Sequence, residues 1–438
     1  MCARTVRYAV GNFREEKEMN NVLFISYFMP PSGKASLHWP LFMMKHLPSF
    51  AWQPCVLTVD EDTFSHKDES LLKEISPATH VVKTKAFEPF NIYRKFLGKK
   101  KEQTLIASET ISLTNTSLRH KLAIWIRMNL FVPDARVGWN FSAVRGGRKL
   151  IKEHRVQAIV SIGPPHSSHL IGMKLSRQYN IPHIPVLIDP WVDIVYYKNF
   201  QRSALTLAVD NYFERGVLDH AAHALFVTQS TQEDYARKYS FLKNKSSVLY
   251  WGYNEEAFEQ LPPKQRSEYE IILHAGNIFD YQNPQSFWRN VKNEIERGRK
   301  LKIKFVGTVS PGIKHSLYEI GLEPYTEYLG FLPYQKVVEE MCNASYLLVC
   351  TTEKRHLPGK LFEYLRTGNP IIAFGDDNSE IENILLSANA GVLLPYNYSG
   401  DDMFQKLSEL KPDIETAKKF NRLSIAKELA EILEKCVK

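Results

Sequence analysis

The sequence predicts an α/β protein of two doubly wound parallel-sheet domains. Three observations carry this. Short continuous apolar runs, bounded by turn residues, alternate with helical patterns along the chain. The alternation restarts near residue 265. The 438 residues also exceed the size at which a single core stops growing.

Residues 21–27 (NVLFISY) read as a buried parallel strand closed by the turn-rich PPSGK. A helix is expected over 37–47 and a second strand over 54–59. Further strands fit 158–162, 185–188, 224–227 and 247–250, with helices over 169–179 and 232–239 among them. Residues 61–116 form a long polar and mixed stretch. After it, residues 118–131 (LRHKLAIWIRMNLF) make a basic, Trp-bearing helix. Such a helix suits a membrane interface or a simple cover over the sheet.

Residues 255–266 read as a linker, and a second set of strands follows at 269–274, 301–306, 328–331, 346–350 and 370–374. An amphipathic helix over 423–437 ends the chain, where it can pack back across the first domain. The expected organisation is a flexible extension (1–20), a first domain (21–258), a second domain (259–420) and a terminal helix (421–438). Met19 is an alternative start to the ordered sequence.

The composition is that of an ordinary globular protein, 44% hydrophobic and 24% charged. Five scattered cysteines form no CxxC pair or His-spaced ligand set, which argues against a disulfide framework or a zinc site. No apolar run is long enough to span a membrane, and the first twenty residues lack the apolar centre of a signal peptide. A cytoplasmic protein, either free or peripheral at the inner face of a membrane, is the expectation. The net charge of +8 is uneven. Residues 1–250 hold 33 Lys and Arg against 21 Asp and Glu, and residues 251–438 hold 23 against 27. A basic first half suits an anionic surface or acceptor. No helix-turn-helix, zinc-finger or RNP pattern supports nucleic acid as the partner, and a solvated basic face is the plainer reading.

Residues with chemistry gather at strand ends. Gly33 and Lys34 follow the first strand, where backbone and an ammonium can approach a phosphate, although a plain strand–helix turn explains them as well. In LPGKLFEYL, Pro358 and Gly359 mark a helix start whose free N–H groups attract a diphosphate. Lys360 adds a charge in the first turn, and Glu363, one turn on, can accept ribose hydroxyls. Read alone, this segment is also a capped helix with a solvated Lys–Glu pair. Gly276 and Asn277, Gly307 and Thr308, and Gly330 with Phe331 and Leu332 end three further strands. Together they suggest a nucleoside diphosphate site, with Gly276 at the diphosphate and Phe331 and Leu332 at the base.

The ordered segments NVLFISYFMPPSG, GPPHSSHLIG, IDPWVDIVYY, LHAGNIFDYQNP and LPGKLFEYLRTGNPII resemble the retaining glycosyltransferases of family four, over roughly residues 20–435. The resemblance implies a GT-B fold, two Rossmann-like domains facing a central cleft. It further implies a UDP- or GDP-linked sugar donor on the second domain, a glycan or lipid-linked acceptor on the first, and no metal requirement. Surface-polysaccharide or glycolipid assembly would be the setting. By the same resemblance, Glu363 holds the ribose, Gly359 and Lys360 lie at the donor diphosphate, and Gly33 faces the donor phosphates. His166 approaches the transferred sugar, and Asp189 lies near the acceptor.

The sequence departs from the family pattern at Arg355, in place of the first glutamate of the Glu-(seven residues)-Glu motif. It departs also at Lys34 for a second glycine, at Asn277 and Gln282 for Arg and Lys, and at Ile188 for Arg. These changes remove charge from the donor clamp. Catalysis would rest on Lys360, Lys34 and the helix tip stabilising the leaving diphosphate, with His166 and Asp189 as further catalytic candidates. His166 can equally be a structural histidine, and Asp189, before Pro190, a turn residue. A sugar-nucleotide epimerase and a non-catalytic nucleotide-sugar-binding protein are the alternative functions. Nothing in the sequence indicates the oligomeric state.

Overall fold

The computed structural model describes residues 19–64, 66–87, 118–194, 200–259, 261–264, 267–351, 353–400 and 402–438. The expected terminal extension, apart from its last two residues, and the later part of the polar stretch (88–117) lie outside the described residues.

The first sheet comprises β1 (Asn20–Ile25), β2 (Trp52–Val59), β3 (His80–Thr84), β4 (Ala158–Gly163), β5 (His183–Leu187), β6 (Ala224–Phe226) and β7 (Ser246–Val248). All are parallel, in the order β3-β2-β1-β4-β5-β6-β7. The helices of this half are α1 (His38–His46), α2 (Leu118–Leu130), α3 (Asn140–His154), α4 (Ser167–Tyr179), α5 (Ala204–His220) and α6 (Gln229–Lys238).

The strand β1 shows why the continuous apolar run was needed. Val22 and Phe24 face one core with Trp39 and Leu41 of α1, while Leu23 and Ile25 face the other with Val144 and Leu150 of α3. Both faces are covered, so alternation would have left polar groups buried.

The second sheet comprises β8 (Glu270–Ala275), β9 (Leu301–Val306), β10 (Thr326–Gly330), β11 (Tyr346–Cys350), β12 (Ile371–Phe374) and β13 (Gly391–Leu394), in the order β10-β9-β8-β11-β12-β13. Its helices are α7 (Gln285–Glu296), α8 (Pro311–Glu319), α9 (Tyr334–Asn343), α10 (Lys360–Thr367), α11 (Ser379–Ser387) and α12 (Met403–Glu409). The order reverses between β1 and β4 in one sheet and between β8 and β11 in the other, which places a crevice beyond the carboxyl ends of each pair.

The last helix, α13 (Arg422–Val437), belongs by contact to the first sheet. Its Ile425, Ala426, Leu429 and Leu433 are buried against Val22, Trp39 and Val160. The chain therefore crosses between the halves twice, and the two crossings are paired: Tyr253 N–H donates to Phe420 O (2.9 Å) and Arg422 N–H to Tyr253 O (3.0 Å). Elsewhere Glu380 of α11 accepts the N–H groups of Gln229 and Ser230 at the start of α6 (2.5 and 3.0 Å), and Arg355 pairs with Asp234.

Two strands escaped sequence reading. The strand β3 is an edge strand with mostly exposed residues, so its sequence, HVVKT, carries little apolar pattern. The strand β13 is apolar (GVLL) but only four residues long, too short a run to stand out as a strand. Replacing Leu429 by Ala should cost about 3 kcal/mol of stability, read by urea denaturation. A loss confined to a few tenths would mean that α13 does not hold the first domain.

Candidate functional site

The second sheet's crevice is built by four segments. At the end of β8, Gly276 adopts φ 104°, a conformation that favours glycine, and a Cβ there would sit 3.1 Å from Lys360 Nζ. Next to it Gly307, φ 99°, passes so close that a Cβ would lie 2.8 Å from the Gly276 carbonyl carbon. These two positions leave bare backbone beneath the lysine. The loops are tied together: Gly307 N–H donates to Gly330 O (2.6 Å), and Thr308 N–H donates to Asn277 Oδ1 (3.0 Å). Asn277 and Thr308 are exposed, as is Phe331, while Leu332 packs partly on the core.

The fourth segment is the start of α10. Gly359 is its N-cap, no side chain caps it, and a Cβ at Gly359 would meet nothing within 4 Å. The helix tip is open, with its backbone donors available to an anion. Pro358 beneath it is buried.

Lys360 points across to β8, where its Nζ lies 3.1 Å from His274 Nε2. His274 is buried and its Nδ1 lies 3.0 Å from Leu348 O, so a neutral ring with the proton on Nδ1 satisfies both contacts. Burial and the lysine charge hold His274 well below its usual range. Burial also lowers the Lys360 ammonium to about 8, against a weaker pull from the Cys350 and Glu363 charges. A displaced pKa in a crevice makes Lys360 a candidate functional group.

Glu363 stands one turn along α10. Its Oε1 accepts from the Tyr334 hydroxyl (2.7 Å), and burial raises its pKa against that hydrogen bond and the Arg422 and Lys360 charges. Arg422, the first residue of α13, stacks its guanidinium 3.5 Å over the Phe42 ring of α1. The return of the terminal helix thus brings a first-domain aromatic and a cation toward the second domain's glutamate. Arg355 is turned to Asp234 of α6, an interdomain ion pair in place of the expected carboxylate.

The first sheet's crevice has different chemistry. Ser32 and Lys34 after β1, and Pro164 and Pro165 after β4, line one pocket with Arg127, Asp134 and Arg136. Gly33 lies under the His66 ring, where a Cβ would come within 2.3 Å. His166 is buried behind this wall at 5% exposure, stacked on Trp191 with centroids 5.0 Å apart and close to His169. Burial drops it to about 3, so the ring is neutral. The structure thus brings His166 against an aromatic layer rather than to the pocket surface. Asp189 follows β5, and burial pushes its carboxyl up to about 6.

The loop carrying Asp189 is set by groups that sequence reading missed. Trp191 Nε1 donates to Asp210 (2.7 Å) and Val192 N–H to Glu214 (3.1 Å), both carboxylates fully buried on α5. Their spacing of four residues shows one helix face, but nothing in the sequence says that this face is buried. His274 did leave a signal: a histidine at the carboxyl end of the apolar run YEIILH. Among the described residues, no group of three His, Cys, Asp or Glu is arranged to hold a metal, and no helix is long and apolar enough to cross a membrane.

Residues 269–413, which include this second crevice, match the family model described as glycosyl transferases group 1. No curated protein matches the chain. Among solved structures, sucrose-phosphate synthase from Thermosynechococcus elongatus is similar with TM-score 0.60 and 13% identity, over 95% of this chain and 98% of that one. HepE of Anabaena, in complex with UDP, gives 0.60 and 11% over 95% and 100%. The lipopolysaccharide outer core galactosyltransferase WaaB, in its apo form, gives 0.57 and 15% over 95% and 99%. The fold is GT-B. In the GT-B arrangement the two switch-point crevices belong to the two halves of one cleft, and here one is a tethered lysine at a helix tip, the other a basic pocket.

The buried histidines give a pH prediction. His166 and His183 titrate near 6.5 when exposed and are held to about 3 in the fold by burial. The unfolded chain therefore takes up protons first. Stability is intact above pH 6.5 and falls as the pH drops toward 3, by about 2 kcal/mol per histidine at pH 5. Urea denaturation at pH 7 and pH 5 reads this, and His183→Gln should remove part of the slope.

Proposed function

We propose that the protein is a glycosyltransferase. It takes a sugar from a UDP- or GDP-linked donor held at the second sheet's crevice and passes it to an acceptor at the first. The single observation behind this reading is the open tip of α10 with Lys360 suspended over Gly276, one helical turn from Glu363. A diphosphate meets backbone N–H groups and an ammonium there, and ribose hydroxyls meet a carboxylate. The group 1 glycosyltransferase match over 269–413 and the UDP complex of HepE support it.

In this reading the barrier falls because negative charge builds on the leaving diphosphate where fixed donors already wait. Lys360 supplies the full charge, His274 keeps it aimed, and the helix tip adds partial charges. These groups meet the charge that a divalent cation meets in other transferases, so we propose transfer without metal. Retention of anomeric configuration belongs to the same proposal, through the resemblance to family four. Asp189, with a carboxyl near neutrality, is the acceptor-side candidate for proton transfer.

Incubation with labelled UDP- and GDP-sugars and a panel of glycan and lipid-linked acceptors tests the reading. Transfer with release of nucleoside diphosphate is expected, persisting in EDTA. Isomerised donor without transfer would instead indicate an epimerase, and binding alone a non-catalytic protein. In calorimetry, Glu363→Ala should weaken nucleoside diphosphate binding by about 2 kcal/mol, roughly thirtyfold. Equal affinity would remove Glu363 from the site. Because Lys360 titrates at about 8, wild-type affinity should fall as pH rises through 8. In Lys360→Gln that fall should vanish.

A further inference from the structure

The segment that returns the chain to the first sheet packs against α10. The Phe420 ring lies on Phe362, centroids 4.9 Å apart, and Phe362 is the residue before Glu363. Tyr250 closes the same cluster, 5.5 Å from the Phe362 ring and 5.4 Å from that of Phe420. Room for this crossing comes from Gly252, φ 62°, where a Cβ would sit 2.5 Å from Phe420 O and 3.4 Å from Arg422 Cγ.

Arg422 follows two residues after Phe420, its N–H held by the Tyr253 carbonyl (3.0 Å). Its guanidinium lies over the Phe42 ring at 3.5 Å, and its Nε is buried with no hydrogen-bond partner among the described residues. A buried cation resting on one aromatic face is only partly compensated. The carboxylates whose charges reach it are Glu363 of α10 and Glu74 of the first domain. Glu363 in turn engages Oε1 with the Tyr334 hydroxyl (2.7 Å), and no other hydrogen bond holds this carboxylate among the described residues. One oxygen is fixed and the other is left for a ligand. The remaining cation acting on Glu363 is Lys360. A bound diphosphate would take up that charge, leaving Arg422 as the cation that faces the carboxylate.

We propose that Arg422 is a positioning residue of the donor site. From a helix that belongs to the first domain, it holds the Glu363 carboxylate ionised and presented to the ribose hydroxyls, with Phe42 as its seat. The inference rests on the donor half of the transferase reading and names the first-domain groups on which ribose recognition depends.

The whole chain is titrated calorimetrically with UDP and GDP and with their 2′,3′-dideoxy forms, which keep base and diphosphate and lack the two hydroxyls. In the wild type the ribose form should bind about thirtyfold more tightly. Arg422→Gln should cut that preference about tenfold while the dideoxy form binds as before. Equal weakening of both forms would reduce Arg422 to a structural filler and overturn the proposal. Arg422→Lys keeps the charge and should retain most of the preference. In a Glu363→Ala background Arg422→Gln should cost nothing further, and an additive loss there would also overturn it. Phe42→Leu keeps an apolar side chain but removes the seat, and should cut the preference about threefold. Thermal unfolding checks each variant, and if Arg422→Gln does not fold, an unchanged preference in Phe42→Leu overturns the proposal by itself. Wild-type protein that binds neither nucleotide would overturn the donor reading and this inference with it. A ribose preference that depends on Glu363 but survives Arg422→Gln would overturn this inference alone.

Discussion

A lysine ammonium held over bare backbone is the constraint on which the second crevice depends. Lys360 loses much of its hydration between β8 and α10, and the Glu363 charge, the His274 ring nitrogen at its head, glycine at 276 and open space toward the helix tip make that tolerable. Each is a local sacrifice. A side chain at 276 would fill the space under the ammonium, and a charged His274 would repel it. Burial of a charge without a full partner is unfavourable, so the arrangement makes sense where an anion arrives to complete it.

Parallel sheets explain why such a site exists at all. Within each sheet the strands run the same way, so the strand-to-helix loops of that sheet emerge at one edge. The order reverses at β1/β4 and at β8/β11, opening one crevice per sheet. The same topology yields different linings because the loops differ. One pair carries glycines and a single tethered lysine, the other bulky prolines and several cations.

The two halves are made into one molecule by the terminal helix. Since α13 fills the core of the first sheet, the paired crossings at Tyr253 and Phe420 cannot separate without exposing that core. A consequence for the site is that Arg422, at the tip of α13, is fixed against Phe42 and near Glu363. Stability and site geometry share this element.

The sequence by itself determined the two parallel sheets, because burial of both strand faces demands unbroken apolar runs such as NVLFISY and YEIILH. It determined also the helix start at Pro358–Lys360, where residue type and position within one segment carry the chemistry. Edge strand β3 was hidden because its mostly exposed residues carry little apolar pattern, and β13 because its apolar run is only four residues long. Only the tertiary structure decided that His274 holds Lys360, that Arg355 pairs across the domains, that His166 lies buried on Trp191, and that four distant cations share one pocket. These are juxtapositions of residues far apart in the chain. Spacing along a sequence encodes neighbours within one helix or strand, whereas contacts between loops are set by how whole sheets and helices pack.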